Sequence, residues 1–498
     1  MVEKKEGVDW QHAEQCSKVI CEASNLERSI DWKQGLAIAL GVPLAILPSI
    51  GYLSSYLWSA AILVWGLSVL QGFAQNTAFG ELATAFPNAS GLPGFAQNIF
   101  KTRNHKGRYD KGKFIGGFSA WSYWFGWAPA MSIFALVASS YLYSLFPSIS
   151  NTFSEMQVAY ITCITIFSLL MVINLRGLSS GATLGYILAV LSLGPLIIIT
   201  LSPFATGDFN ITNITSEWFP TDWAWDLHHI LILFGLFAMA EWSACAWETA
   251  AIYGPEYKNP GSDVPKALFA CGGVCLLSFV LIQASVTGTI GVSQTIAESF
   301  TPLLPVAQMT FGATGAVVAI FMLITAMILL IQTIYLGSSR SLHSMAIEGN
   351  FPRVFSKVNG NGAPYVAMAF IAVINLGFVS LGTPVAILAA SAIGYIAAQG
   401  ISLFAYVKAK NDPELARLER PFKAPTGWKH VALIFGLINI PFFIIGIIYL
   451  NSIEIGWAST LVGFGVLAVY VPIWFYSQGQ SGSSEENIAV DSNIPIDS

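Results

Sequence analysis

Two acidic residues, Glu241 and Glu248, lie seven positions apart in an otherwise apolar stretch of the chain, with Trp242 and Ser243 between them. A carboxylate shielded from water is stable when it is protonated, paired with a cation or surrounded by hydrogen-bond donors. The pair therefore predicts a site that binds protons or an amine.

A second apolar stretch contains Pro48, which is followed by Ser49 and Gly51. Proline lacks a backbone donor and clashes with the preceding helical turn, and the nearby glycine adds backbone freedom. The pattern predicts that a helix is interrupted at Pro48. A simple proline kink is the alternative.

The elements that would carry these residues are membrane-spanning helices. Of the 498 residues, 54% are hydrophobic and 10% are charged, and the mean hydropathy is +0.63. This composition excludes a water-soluble globule. Because an apolar run of about 20 residues crosses a bilayer as a helix, we predict an all-α membrane protein with twelve spans, at residues 35–56, 58–84, 115–146, 156–175, 181–204, 227–253, 266–290, 313–338, 364–382, 385–408, 430–450 and 456–477.

Positive charges predict the orientation. With twelve spans and a cytoplasmic N-terminus, all 23 Lys and Arg fall on the cytoplasmic side, as the positive-inside rule requires. We therefore expect a cytoplasmic segment at 1–33, a transporter domain at 34–478 and a disordered cytoplasmic tail at 479–498, in a protein of the cell membrane.

Other features of the chain predict no further chemistry. No nucleic-acid patch, disulfide framework, metal site, cofactor site or enzymatic constellation is indicated. The external stretch 205–226 is expected to cap the outer vestibule, and it carries glycosylation sequons at Asn210 and Asn213.

The two chemical features fall in predicted spans one and six, which are five spans apart. Helices interrupted at matching places in two five-helix halves are typical of transporters built from inverted repeats, with the substrate held between half-helices. The sequence thus favours a small-molecule transporter embedded in the lipid bilayer.

Three motifs give the chain a family resemblance. Residues 80–91 read GELATAFPNASG, residues 253–260 read YGPEYKNP and are followed by DVPKA at 263–267, and residues 339–352 read SRSLHSMAIEGNFP. They resemble motifs of the amino acid–polyamine–organocation permease superfamily, including the branch of ethanolamine and small amino acid permeases. The resemblance implies a LeuT-type fold, a five-plus-five inverted repeat with discontinuous helices one and six, plus two extra helices.

The resemblance also implies which backbone groups hold the substrate. Its ammonium would meet carbonyl groups of Trp242, Ser243 and Cys245, beside the small Ala246, and Trp242 would act as an aromatic gate. Packing against protein or lipid is the alternative for this tryptophan.

In the first helix the chain departs from the family pattern. The family's Gly-x-Gly aligns with Leu47, Pro48 and Ser49, and Pro48 has no amide to offer a substrate carboxylate. The expected contacts come instead from the segment comprising Ile46, Leu47, Ser49, Ile50 and Gly51. This departure keeps an amine without a carboxylate open as a substrate.

Further walls of the site are expected from predicted spans three, eight and ten. The residues involved are Trp127, Ala128, Ser132, Thr325, Ser391 and Tyr395. Glu81, Arg340 and Glu256 are expected to form charge networks that hold an inner gate closed.

The two carboxylates of the sixth span have different predicted roles. Glu248 matches a family position that implies proton sensing or gating, with a structural pairing as the alternative. Glu241 has no evident partner, since no Lys or Arg occurs inside a span. It is expected to meet a proton or the substrate amine, or else to lie in a wet vestibule.

The resemblance therefore implies a secondary active transporter of small or neutral amino acids, not an enzyme, working as a proton symporter by alternating access. Ethanolamine or another small amine is the alternative substrate, and exchange the alternative mode. A nutrient receptor that does not transport is a more distant alternative.

Overall fold

The protein is described here from a computed structural model covering residues 26–102, 109–298, 301–380, 384–454 and 456–491. These residues form helices and no β-sheet, with one isolated bridge between Ile30 and Tyr257. The all-α prediction is confirmed. Most of the predicted N-terminal segment, the middle of the basic loop at 101–113 and the end of the predicted tail lie outside the described residues.

The first half of the chain contains ten α-helices, counted in the described residues. They are α1 (Trp32–Ala39), α2 (Ile50–Leu57), α3 (Ala61–Ala85), α4 (Gly91–Phe100), α5 (Lys111–Trp127), α6 (Ala130–Leu145), α7 (Glu155–Asn174), α8 (Leu178–Thr206), the short α9 (Thr212–Thr215) and α10 (Leu227–Ala244).

A long 3-10 helix, Ala246–Glu256, separates α10 from the second half. The α-helices that follow in the described residues are α11 (Pro260–Ala297), α12 (Leu303–Ile347), α13 (Tyr365–Val379), α14 (Pro384–Asn411), α15 (Trp428–Leu437), α16 (Ile444–Glu454) and α17 (Trp457–Asp491). A π-helical segment, Ile438–Phe443, joins α15 to α16.

Ten segments of the described chain are long and apolar enough to cross a membrane. The first, Trp32–Ala85, covers two of the predicted spans, and the predicted span at 364–382 corresponds to the shorter apolar helix α13. The protein is thus a multi-pass membrane protein, while the count of twelve and the five-plus-five repeat stay predictions.

The interruption predicted at Pro48 is present and is longer than expected. The α-helix ends at Ala39 and resumes at Ile50, with 3-10 turns at Val42–Leu44 and Leu47–Ser49 between. Pro43 falls in the first of these turns and Pro48 in the second, so two positions lack the donor that an α-helix needs.

The sixth predicted span is interrupted at Cys245. The α10 hydrogen-bond ladder ends with the Cys245 amide donating to the Glu241 carbonyl at 3.0 Å. From Ala246 the backbone is wound as a 3-10 helix through Glu256. Segments 40–49 and 245–256 are therefore both non-α at buried positions of the molecule.

The indole of Trp247 holds the 3-10 segment in place. It is fully buried, and it packs edge-on to Phe73 at 4.5 Å between ring centroids. A methyl group on Gly272 of α11 would collide with the Trp247 ring, whereas one on the adjacent Gly273 would meet nothing within 4 Å. Gly272 thus provides the space into which Trp247 fits.

This packing predicts opposite effects at neighbouring glycines. Gly272→Ala should destabilise the protein by about 1–3 kcal/mol, because the Trp247 ring must move out of a packed site. Gly273→Ala, the matched control, should be neutral or stabilising by about 0.5–1 kcal/mol, since alanine favours the helix. Thermal unfolding in detergent measures both. Equal effects of the two substitutions would contradict this packing.

Candidate functional site

A cavity of about 220 Å³ lies beside the interruption of the first span. It is bounded by the first span, α6, α10 and the start of α14, through Pro48, Ser49, Tyr52, Leu53, Ser55, Ile133, Phe134, Met239, Trp242, Pro384, Val385 and Leu388. We call this space the outer cavity. Ser49 and Trp242, two residues predicted for the site from sequence, both line it.

Trp242 forms a closed wall of the outer cavity. Its side chain is almost fully buried, and its indole N–H donates to the Gly126 carbonyl at 2.8 Å. The ring packs near Phe134 and Trp127, with centroids 6.4 and 5.8 Å away. Because the indole is anchored on α5, opening this wall requires a break between α10 and α5.

Behind Trp242 lies a group of buried polar side chains around Glu248. The hydroxyl groups of Tyr123 and Tyr395 and the indole of Trp127 face its carboxylate. Within the described residues neither Glu248 oxygen has a hydrogen-bond partner, and the same holds for the Tyr123 hydroxyl, the Trp127 indole nitrogen and the Ser243 hydroxyl. The Tyr395 hydroxyl accepts a hydrogen bond from the Gln399 side-chain amide at 2.7 Å. We call Tyr123, Trp127, Glu248 and Tyr395 the Glu248 cluster.

Such a concentration of unpaired buried groups is unusual. Nearly all buried polar atoms in folded proteins have a partner, and an unpaired one costs about 1–3 kcal/mol or more when charged. The Glu248 cluster offers a carboxylate acceptor next to hydroxyl and indole donors. This combination suits an ammonium group, a proton or water.

Two glycines bring the aromatic members of the cluster together. A methyl group on Gly126 would lie 2.7 Å from Cβ of Tyr395, and one on Gly394 would lie 2.8 Å from the Ser122 carbonyl oxygen. The close approach of α5 and α14 places Trp127 edge-on to Tyr395 at 6.0 Å.

The interruption of the sixth span adds backbone acceptors to this region. The carbonyls of Trp242 and Ser243 lie beyond the last α-helical bond of α10, at the negative end of the helix dipole. Cys245 and Ala246 are fully buried at the junction. The Cys245 thiol donates to the Ser68 carbonyl at 3.1 Å, so its side chain turns towards α3.

The first-span segment provides fewer contacts than its sequence predicts. The Ser49 amide donates to the Ile46 carbonyl at 2.8 Å, and therefore it is not available to a substrate. Ile46, Leu47, Ile50 and Gly51 are buried and do not line the outer cavity. The Ser49 side chain is the polar group that this segment presents there.

The expectation that Glu241 lacks a partner is wrong. Its carboxylate accepts hydrogen bonds from the side-chain amides of Gln71 at 2.7 Å, Gln75 at 2.8 Å and Asn439 at 2.9 Å. Gln71 and Gln75 lie one turn apart on α3, and Asn439 lies in the π-helical segment. Glu241 thus faces α3 and the π-helical segment, and three amide donors satisfy its carboxylate without a cation.

Glu241→Gln should therefore impair stability and leave transport intact. A glutamine has one oxygen where the carboxylate has two, so at least one amide donor loses its acceptor, at about 1–3 kcal/mol. A melting temperature below wild type, with uptake retained in liposomes, is the expected result. Abolished uptake by a fully folded variant would return Glu241 to the transport site.

Other wall residues predicted from sequence point elsewhere. The Thr325 hydroxyl donates to the Phe321 carbonyl of its own helix, Ser132 bonds to Asn375 at 2.6 Å, and Ser391 donates to the Leu388 carbonyl at 3.0 Å. Thr325 does not line the outer cavity, and its hydroxyl is engaged within its own helix.

Thr333, which was not predicted from sequence, makes the contact between α12 and the first span. It lies two helical turns beyond Thr325, and its hydroxyl donates at 2.6 Å to the Ile38 carbonyl, at the end of α1. A methyl group on Gly41 would collide with the same hydroxyl. The helical spacing from Thr325 was the signal that could have found it.

The charge networks predicted for Glu81, Arg340 and Glu256 are present as two separate groups. Arg340 binds both oxygens of Glu256, at 2.5 and 2.8 Å, with both side chains buried. Glu81, at the end of α3, pairs with Lys410 at 2.8 Å and Arg420 at 3.0 Å. Both groups belong to segments next to the Lys- and Arg-rich loops.

Interrupted helices around a buried polar cluster, in a chain of many apolar spans, define a membrane transporter rather than an enzyme. Comparison with known proteins agrees with this class. Residues 30–470 match the family model described as amino acid permease, and the chain belongs to that family. The resemblance to the superfamily inferred from motifs is confirmed.

Individual relatives are more distant. An uncharacterized transporter of Legionella pneumophila is 26% identical over 57% of this chain and 58% of its own length. An uncharacterized amino acid permease of Bacillus subtilis is 25% identical over 67% and 72%. The D-serine/D-alanine/glycine transporter of Escherichia coli is 20% identical over 61% and 62%. The chain thus covers about three fifths of the first of these relatives.

Proposed function

We propose that this permease is a secondary active transporter that moves small or neutral amino acids by alternating access, coupled to protons. The observation that carries the proposal is the Glu248 cluster, a buried carboxylate faced by hydroxyl and indole groups behind Trp242 at the interruption of the sixth span. A substrate that reaches the outer cavity is separated from this cluster by Trp242, which packs against the cluster member Trp127.

The proposed binding mode follows from charge. The substrate ammonium would donate hydrogen bonds to the Glu248 carboxylate and to the carbonyl groups of Trp242 and Ser243 at the end of α10, since an ammonium has three donors. The cluster's aromatic rings add cation–π attraction. Without substrate, a proton on Glu248 would neutralise the buried charge, which gives a physical route for exchanging a proton against the amine.

Two barriers would alternate in this scheme. Trp242 with its bond to Gly126 closes the route from the outer cavity. The pairs Arg340–Glu256 and Glu81–Lys410–Arg420 hold segments together on the opposite side of the cluster. Each barrier consists of contacts that a helix rotation can break and re-form.

Supporting observations favour a small neutral substrate. The outer cavity, about 220 Å³, is below the roughly 300–1,000 Å³ of drug-sized sites. The Escherichia coli relative is named for D-serine, D-alanine and glycine.

A small amine such as ethanolamine is the second candidate. It is favoured by the first-span segment, where Pro48 has no amide and the Ser49 amide is already bonded to Ile46. These are the groups that would have held a substrate carboxylate. An amine without a carboxylate would need only the Glu248 cluster.

Uptake into proteoliposomes tests both candidates. Purified protein is reconstituted, and a proton gradient is imposed with the interior alkaline, which drives symport, or in separate vesicles with the interior acidic, which drives exchange. Radiolabelled glycine, alanine, serine and ethanolamine are offered separately. Serine and ethanolamine form a matched pair, since ethanolamine is serine without its carboxylate. Accumulation that a protonophore abolishes supports the proposal, whereas no accumulation of any of the twenty amino acids or of ethanolamine rejects it.

A further inference from the structure

A second cavity, of about 630 Å³, lies where α14 ends, beside the loop that leads to α15. The charged side chains that line it are Lys410, Arg417, Arg420, Lys423, Glu81 and Glu419. Four cations face two carboxylates, which leaves an excess of two positive charges. We call this space the basic pocket.

The inner end of the basic pocket is rigid. Glu81 is fully buried, and its oxygens accept bonds from Lys410 at 2.8 Å, from the Tyr406 hydroxyl at 2.7 Å and from the Ala424 amide at 3.1 Å, in addition to Arg420. Every one of these donors points at the carboxylate, so Glu81 is fully engaged and presents little free negative charge to the pocket.

Arg420 retains an unused donor at this inner end. Its Nη1 bonds to Glu81, and its Nη2 bonds to the Leu415 and Ala409 carbonyls at 2.8 and 3.2 Å. The residue is 8% exposed, and its buried Nε–H has no partner in the described structure.

The mouth of the basic pocket carries exposed positive charge. Arg417 and Lys423 are exposed, and within the described residues neither forms an ion pair or a side-chain hydrogen bond. Lys410 uses one of its three ammonium donors on Glu81. The pocket thus combines the buried Arg420 guanidinium with three cations that have unused hydrogen-bonding capacity.

We infer that the basic pocket binds a phosphoryl group. A tetrahedral phosphate oxyanion offers several acceptors to converging Arg and Lys donors. Two sources share this chemistry: the phosphate of an anionic phospholipid, since basic pockets between membrane helices near the cytoplasmic surface bind such headgroups, and a soluble phosphate. Bound phosphate would join the end of α14 to the loop at 411–427, the same parts that Glu81 ties to α3.

The test is a thermal-shift titration of the purified full chain in neutral detergent. The probes are inorganic phosphate, short-chain phosphatidylglycerol and, as the uncharged-headgroup comparison, short-chain phosphatidylcholine, all at constant ionic strength set with chloride. The variant is Arg417→Gln/Lys423→Gln, in which both changed residues are exposed. Its matched control, Lys258→Gln/Lys357→Gln, removes the same charge from two exposed loop positions outside the pocket.

A saturable rise in melting temperature with phosphate or phosphatidylglycerol is expected for wild type and control. In the pocket variant the half-saturating concentration should rise at least about tenfold, the equivalent of one lost charge-assisted hydrogen bond. Stronger action of phosphatidylglycerol identifies a lipid site, and stronger action of phosphate a soluble ligand. No saturable shift with either probe, or equal shifts in the pocket variant and wild type, would overturn the inference.

Discussion

Glu248→Gln is expected to abolish proton-driven accumulation and to weaken apparent substrate affinity about 10- to 100-fold. The carboxylate is the one acidic group of the Glu248 cluster, and both of its oxygens are buried without a partner in the described structure. Glutamine keeps the shape but removes the charge, and a hydrogen bond to a charged group contributes about 1.5–3 kcal/mol.

The matched control for this variant is Glu241→Gln, because Glu241 lies in the same predicted span and is equally buried but already has three amide donors. The variants are compared by initial uptake rate over a range of substrate concentrations, with and without the proton gradient. Counterflow without a gradient separates binding from coupling. Wild-type accumulation by Glu248→Gln would remove this carboxylate from the mechanism.

Arg340→Leu is expected to destabilise the protein by about 3–5 kcal/mol, the effect of leaving one buried partner of an ion pair uncompensated. Arg340 and Glu256 are both nearly inaccessible to solvent and bind through two hydrogen bonds. The guanidinium also lies 5.4 Å from the Tyr253 ring. No water can replace these contacts readily at a buried site.

A double-substitution cycle separates the interaction between Arg340 and Glu256 from the packing of each side chain alone. Arg340→Leu/Glu256→Leu should recover a large part of the loss, since replacing a whole buried pair by apolar residues is often close to neutral. Lys429→Leu, which removes a surface charge, is the control. Thermal unfolding in detergent is measured for Arg340→Leu, Glu256→Leu, the double variant and the control. A double variant as unstable as the sum of the single variants would contradict the assignment of a coupled pair.

The interruptions of spans one and six could be predicted from sequence because they have local causes. Pro48 removes a donor wherever the chain places it, and acidic residues inside an apolar span demand a non-lipid environment. The longer extent of the first interruption depends on Pro43 as well, which lies in the first 3-10 turn. The helical class followed from composition alone.

The partners of the buried polar groups could not be predicted because they lie far apart in the sequence. Glu241 meets Gln71 and Asn439, which are 170 and 198 positions away. The sequence around a polar uncharged residue in an apolar span does not indicate which carboxylate that residue contacts. Thr333 and Thr325 both occur in one long helix, and only the packing of α1 decides which of them contacts the first span.

The position of the Glu248 cluster has a similar origin. Its aromatic members come from α5 and α14, and the approach of these helices depends on Gly126 and Gly394. The sequence analysis named Trp127 and Tyr395 as wall residues but left out Tyr123. Glycines on two distant helices give no individual signal that they face each other.

The central claim is that substrate reaches the Glu248 cluster through the outer cavity between the two interrupted spans. Ser49→Cys tests it directly, in a background where Cys16 and Cys21 are replaced by Ser and the buried Cys163, Cys245, Cys271 and Cys275 are kept. The rate of modification by a membrane-impermeant thiol reagent is measured in proteoliposomes, with Thr206→Cys, on an exposed end of α8, as the control.

Saturating amounts of a transported substrate should slow modification at Ser49→Cys and leave Thr206→Cys unchanged, because bound substrate occupies or closes the route that the reagent must take. Modification of Ser49→Cys at the same rate with and without that substrate would contradict the account.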